Sequence, residues 1–189
     1  MSTCNIEGDI YIGYTGAAIT GLDGESGGTL LANLVGRTFR ASMGVRNVLR
    51  RNGFGADAFT SLSRGPRVPA IALEPRDVSA ATLHTLFAAL TNFASGAVRT
   101  SGANVATVGQ VAPTIQVWGK RISGAANREV FAPAMVIAPQ QQDLLTTWAR
   151  DVSHYDGNAI ILVGTRPNGQ TTPAMAFGTN AELEALYFG

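Results

Sequence analysis

Val68–Leu90, VPAIALEPRDVSAATLHTLFAAL, carries the two patterns on which the fold reading turns. Val68–Glu74 alternates around Ile71 and Leu73 and reads as a strand. Pro69 has no N–H for a ladder, which places it at a sheet edge or at the strand's own start. Asp77 or Ser79 then caps a helix. Leu83, Leu86, Phe87, Leu90 and Phe93 recur at helical spacing and form one apolar stripe, the signature of a core-facing helix. Gly96 stops it, and His84 falls off the stripe, toward solvent.

Outward from this block, period-two patterns dominate. Asp9–Tyr14 (DIYIGY) aligns Ile10, Ile12 and Tyr14 on one face of a strand. Thr15–Gly28 is a glycine-rich loop, Leu30–Leu34 a short apolar run, and Arg37–Met43 a second alternating segment. Gly44–Arg67 is the least regular stretch, with turn signals at Asn52-Gly53 and Gly65-Pro66, and reads as a long inter-strand loop. Ile115–Ile122 and Arg128–Ile137 read as a hairpin, and Asn158–Thr165 with Thr172–Gly178 as a last one around Pro167-Asn168-Gly169. Gln140–Tyr155 divides between a helical turn at Leu144, Leu145 and Trp148 and a loop at Asp151–Asp156. No period of repeat length appears. The expectation is a mainly β (α+β) domain spanning 1–189: a curved antiparallel β-sandwich with one flanking α-helix, an N-terminal arm and the loop 44–67.

With 189 residues, the chain fits one domain large enough for a core without staples. A 46% hydrophobic fraction excludes a disordered chain. Charged residues are only 14%, below the roughly 25% of ordinary globular proteins, so surface covered by something other than water is expected. Cys4 stands alone and forms no internal disulfide. The first residues show no signal-peptide pattern, and no apolar run approaches a membrane span.

A net charge of +1 hides a segregated distribution. Residues 1–35 hold Glu7, Asp9, Asp23 and Glu25 and no base; residues 36–76 hold eight arginines against Asp57 and Glu74; residues 129–189 hold six acids against Arg150 and Arg166. Opposite segments of this kind meet within a fold or between stacked copies. The cluster Arg37, Arg40, Arg46, Arg50 and Arg51, with Phe54 beside it, supplies the candidate subunit contacts; guanidinium groups there would grip phosphates or dock acidic patches on a neighbour. Few aromatics interleave, which leaves base stacking without support.

Tests for catalytic and metal motifs return little. Gly24-Glu25-Ser26-Gly27-Gly28 satisfies G-x-S-x-G, but a nucleophile elbow needs a strand before it and a helix after it. Ser26 with His154 and Asp156 is the residual hydrolase arrangement. Two histidines and one cysteine are too few for a typical metal centre, the acids near His154 lack EF-hand spacing, and neither a P-loop nor a dinucleotide fingerprint is present. No catalytic, metal or cofactor residues are expected, and the chain reads as a non-enzyme.

The order of elements resembles the tail tube (major tail) proteins of long-tailed bacteriophages. The matching parts are GDIYIGY (8–14), the block Val68–Leu90 and NAIILVGTRPNGQTTPAMAFG (158–178). That resemblance implies a curved two-sheet sandwich flanked by a helix, hexameric rings stacked into a DNA-conducting tube, and no catalytic residues. It implies 44–67 as a subunit or ring-to-ring contact loop. Implied partners are copies of the chain, other tail or capsid proteins, and DNA passing non-specifically through the lumen, with the protein in the virion after assembly in the host cytoplasm. Alternative readings are a capsid decoration or tail terminator protein, a monomeric arginine-rich binding module, and a small serine hydrolase.

Overall fold

The structure, a computed structural model, describes residues 2–5, 8–22, 27–34, 39–43, 47–51, 59–64, 69–75, 78–91, 113–121, 129–165 and 171–189. Strands β1 (Ser2–Asn5), β2 (Gly8–Gly13), β3 (Thr29–Leu34), β4 (Phe39–Met43), β5 (Asn47–Arg51), β6 (Phe59–Arg64) and β7 (Pro69–Leu73) precede helix α1 (Ala80–Thr91). Then come β8 (Ile115–Arg121), β9 (Glu129–Ile137), α2 (Gln142–Arg150), β10 (Ile160–Gly164), β11 (Ala176–Gly178) and α3 (Asn180–Tyr187). A nine-stranded antiparallel sheet runs β1-β4-β7-β10-β9-β8-β2-β3, with β11 beside β9, and is not closed. The class is the mainly β, α+β one that the alternating patterns require.

Chain connectivity forces this sheet to curve. β1 and β2 are joined by two residues, yet they lie six places apart in the sheet order. Six strand spacings of about 4.8 Å would separate them by roughly 29 Å in a flat sheet. Three Cα steps reach only about 11 Å. The same holds for β3 and β4, joined by four residues across the same gap. The pairs β1–β4 and β2–β3 therefore form two short ribbons, one at each end of the sheet. The first joins the sheet through β4 on β7, and the second through β2 on β8.

A bulge decides which side chains share a face. Val117 pairs with Ala132 and Ile115 with Met135, so β9 spends one residue more than β8 between these pairs. Pro133 lies in that interval, where a missing N–H breaks no regular ladder. The extra residue flips the parity of β9. Val130 and Ala132 thus share the main core with Met135 and Ile137, where strict alternation would separate them.

That core takes Ile10 and Ile12 of β2, Ile71 and Leu73 of β7, and Ile160 and Leu162 of β10, under α1 and α2. Ser79 caps α1, its Oγ accepting the Thr82 N–H at 3.2 Å. Leu83, Leu86, Phe87 and Leu90 are buried as their spacing predicts. Phe93, Gly96 and Asp77 lie outside the described residues. Phe87 meets Trp148 of α2 at 5.6 Å and Tyr155 at 5.5 Å between ring centroids, and Trp148 meets Tyr155 edge-on at 5.1 Å. These rings lock the two helices to each other and to the sheet.

Several expectations are corrected. Among the described residues three helices are present where one was expected. Gln140–Tyr155 resolves into a 3-10 turn, α2 and a second 3-10 turn at Val152–His154. The stretch 44–67, expected as a long loop, contains the hairpin β5–β6, a two-stranded sheet of its own. Its polar strands lack apolar alternation, so backbone pairing left no trace in the side-chain pattern. The last hairpin does not form. β10 and β11 both pair antiparallel with β9, at Met135–Ile137 and Glu129–Phe131, so they run in one direction and cannot pair as a hairpin. Pro69 is the first residue of β7, an interior strand, which selects the strand-start alternative. Residues 2–5, expected as part of an arm, form β1 at one end of the sheet. Among the described residues no helix is long and apolar enough to cross a membrane.

Phe87→Ala removes a fully buried ring from the junction of α1, α2 and sheet. The expected loss is about 3–5 kcal/mol of unfolding free energy, read from urea denaturation.

Candidate assembly surface

The terminal strands of the sheet, β1 and β3, are hydrogen-bonded on one side only among the described residues. Their sequences, STCN and TLLANL, contain no charge and no proline. Natural sheets protect such edges with lysine, proline or a covering element. On β3, Leu30 stands opposite Tyr11 and leaves 44% of its surface to solvent. An uncharged edge strand with an exposed leucine is a ready template for another strand.

The segment that feeds β3 is held by side chains acting as strand backbone. Gln116 accepts the Ile19 N–H at 2.7 Å through Oε1 and donates to the Ile19 carbonyl at 3.2 Å through Nε2. Those are the two bonds a paired strand would make. Gly13, opposite Gln116 in the ladder, leaves the room: a Cβ there would lie 2.2 Å from Oε1. Ile19 then bridges to Gly27, whose φ of 77° favours glycine and whose Cβ would strike the Ala18 carbonyl at 2.2 Å. Two residues later Thr29 starts β3, its hydroxyl 3.2 Å from that of Tyr14.

Helix α3 fixes Leu22 in the same way. The Leu22 N–H donates to the Glu184 carboxylate, and its carbonyl accepts from Asn180 Nδ2 at 2.9 Å. Asn180 also donates at 3.2 Å to Glu129, a carboxylate only 6% exposed that accepts from Trp118 Nε1 at 2.8 Å. Beneath, Leu183 is buried with Tyr11, Trp118, Phe131, Ile19 and Leu22. Phe131 is flanked by Tyr187 at 4.8 Å and Phe188 at 5.4 Å, and Lys120 Nζ stands 5.7 Å from the Trp118 ring centre. A cavity of about 440 Å³ lies along α3, lined by Asn180, Ala181, Glu184, Ala185, Phe188 and Gly189.

None of these clamp residues was singled out by the sequence. One signal was present: Thr179-Asn180-Ala181-Glu182 is a capping box, with both reciprocal bonds formed (Thr179 N–H to Glu182 Oε2 at 2.9 Å, Glu182 N–H to Thr179 Oγ1 at 3.3 Å). The arginine candidates divide. Arg40 lies in β4 of the large sheet, opposite Asn5 and Ala72, whereas Arg50 and Arg51 lie in the separate hairpin. Arg37, Arg46 and Phe54 lie outside the described residues, as does Ser26. His154 and Asp156 are exposed, and Asp156 accepts the Asn158 N–H at 3.1 Å. Among the described residues, no three His, Cys, Asp or Glu side chains group as metal ligands. No protein-family model, curated protein or solved structure matches the chain.

Two phenols titrate late. Burial, then the charges of Asp156 and Glu74, pushes Tyr155 up to about 12, and its hydroxyl donates to the Asn158 carbonyl at 2.6 Å. Burial alone pushes Tyr187 up to about 12, and its hydroxyl donates to the Pro173 carbonyl at 3.0 Å. The unfolded chain releases these protons near 10, so between 10 and 12 the unfolded state binds fewer protons than the folded one. Stability present below pH 10 is therefore lost as pH rises toward 12. Denaturation midpoints should fall across that window, and absorbance titration of tyrosinate should show Tyr155 and Tyr187 ionising late.

Proposed function

We propose that this protein is a structural subunit that assembles with copies of itself through its sheet edges, as a tail tube subunit of a phage virion. The supporting observation is the open sheet with two unprotected ends. Its main path has eight strands, all antiparallel to their neighbours, so β1 and β3 run in opposite directions. A second copy placed edge to edge in the same orientation sets its β1 antiparallel beside β3. The alternation then continues across the junction without a break. Such a contact is heterologous, and heterologous contacts repeat until they close as a ring or continue as a filament. Strand pairing satisfies the outer N–H and C=O groups of both edges at once. In this reading hexameric rings stack into a tube for DNA, the segregated charges set register between rings, and Arg46, Arg50 and Arg51 contribute to that stacking.

Gel filtration with negative-stain microscopy of the purified protein should give rings or tubes; a monomer at all concentrations would refute the reading. Leu30→Lys places a charge on the free edge and should abolish rings while leaving a folded monomer by circular dichroism. Rings that persist in this variant would exclude β3 as the joint. Reversing Arg46, Arg50 and Arg51 to glutamate should leave rings but stop stacking, and unchanged tubes would remove those residues from the contact.

A further inference from the structure

We infer that Asn180 and Glu184 of α3 are positioning residues for edge strand β3, so that the docked C-terminal helix controls whether that edge is ready to pair; the assembly part of this inference rests on the self-assembly reading above. The route from helix to edge is continuous. Glu184 and Asn180, one helical turn apart, take the N–H and the carbonyl of Leu22, and Leu22 is buried against the sheet at 1% exposure. Three residues earlier, Gln116 takes both backbone groups of Ile19. Ile19 bridges to Gly27, and its side chain lies against Gly28, where an added Cβ would come within 2.7 Å of Ile19 Cγ1. Gly28 is followed directly by β3, whose sheet partner is β2 alone among the described residues.

Among the described residues, 15–22 join no strand and form only isolated bridges. Side-chain clamps therefore hold them in place of a ladder, and two of the clamping residues belong to an eight-residue helix. A helix of that length does not persist without its docking contacts. Leu183, Tyr187 and Phe188 hold α3 on Phe131, while Asn180 and Glu184 transmit its position to Leu22. Removing the two polar groups leaves the apolar docking in place and releases the loop.

Hydrogen exchange on the monomer, with the assembly threshold measured by light scattering, tests this. In the double variant Asn180→Ala, Glu184→Ala, amides of residues 17–22 and 27–34 should exchange at least about tenfold faster, while β7, β10 and α1, which neither side chain touches, stay as in the wild type. The assembly threshold should rise by a similar factor. Glu184→Gln retains an acceptor oxygen and should behave as wild type. Glu184→Ala alone gives the same test with a smaller perturbation if the double variant does not fold. Unchanged exchange in 27–34, or faster exchange spread evenly over the sheet, overturns the positioning role. A wild type that never assembles refutes the self-assembly reading and with it the control of assembly, whereas the exchange measurement on the same monomer still decides the link from α3 to β3.

Discussion

Two residues separate Asn5 from Gly8, and between the strands they join the sheet inserts five others. A chain that short cannot cross a flat sheet of that width, so the sheet must curl until its ends approach. Everything else is arranged around that curl. At one end β4 joins β7 and β1 is outermost; at the other β2 joins β8 and β3 is outermost. One face of the sheet buries a continuous core under α1 and α2.

The helices meet that curved surface through parity. Placing Pro133 in a bulge of β9 turns a nine-residue strand into two segments whose inward residues would otherwise point to opposite faces. One edge of the same strand then serves β10 and β11 in turn. On the opposite face Tyr11, Trp118 and Phe131 form a smaller aromatic cluster, closed by α3 and by the loop that carries Ile19 and Leu22. Glu129 lies at its margin, and its buried oxygen is satisfied by an indole and an amide that both donate to it.

The clamped loop leads in sequence to edge strand β3. Among the described residues β1 and β3 are each paired on one side only. An edge that pairs between copies must be ordered before pairing; otherwise the contact spends its energy on ordering the strand. Glutamine, asparagine and glutamate side chains that imitate a strand's hydrogen bonds provide that order where no backbone ladder exists.

The sequence by itself determined the local elements whose side chains alternate or recur against a core: β7 and α1 in Val68–Leu90, β2 around Ile10 and Ile12, and the β8–β9 pair. Those signals survive because burial acts on side chains, and side chains are what a sequence lists. The hairpin β5–β6, the pairing of β10 and β11 with β9, and the capture of Ile19 and Leu22 were decided only by tertiary structure. Their bonds join backbone groups to partners as far as 162 residues away in the chain. Backbone groups are alike at nearly every position, so nothing in Leu22 marks it as the residue that Glu184 will hold. Helix α3, with its capping box at Thr179, was likewise not read from the sequence, and its docking on Phe131 was decided by tertiary contacts.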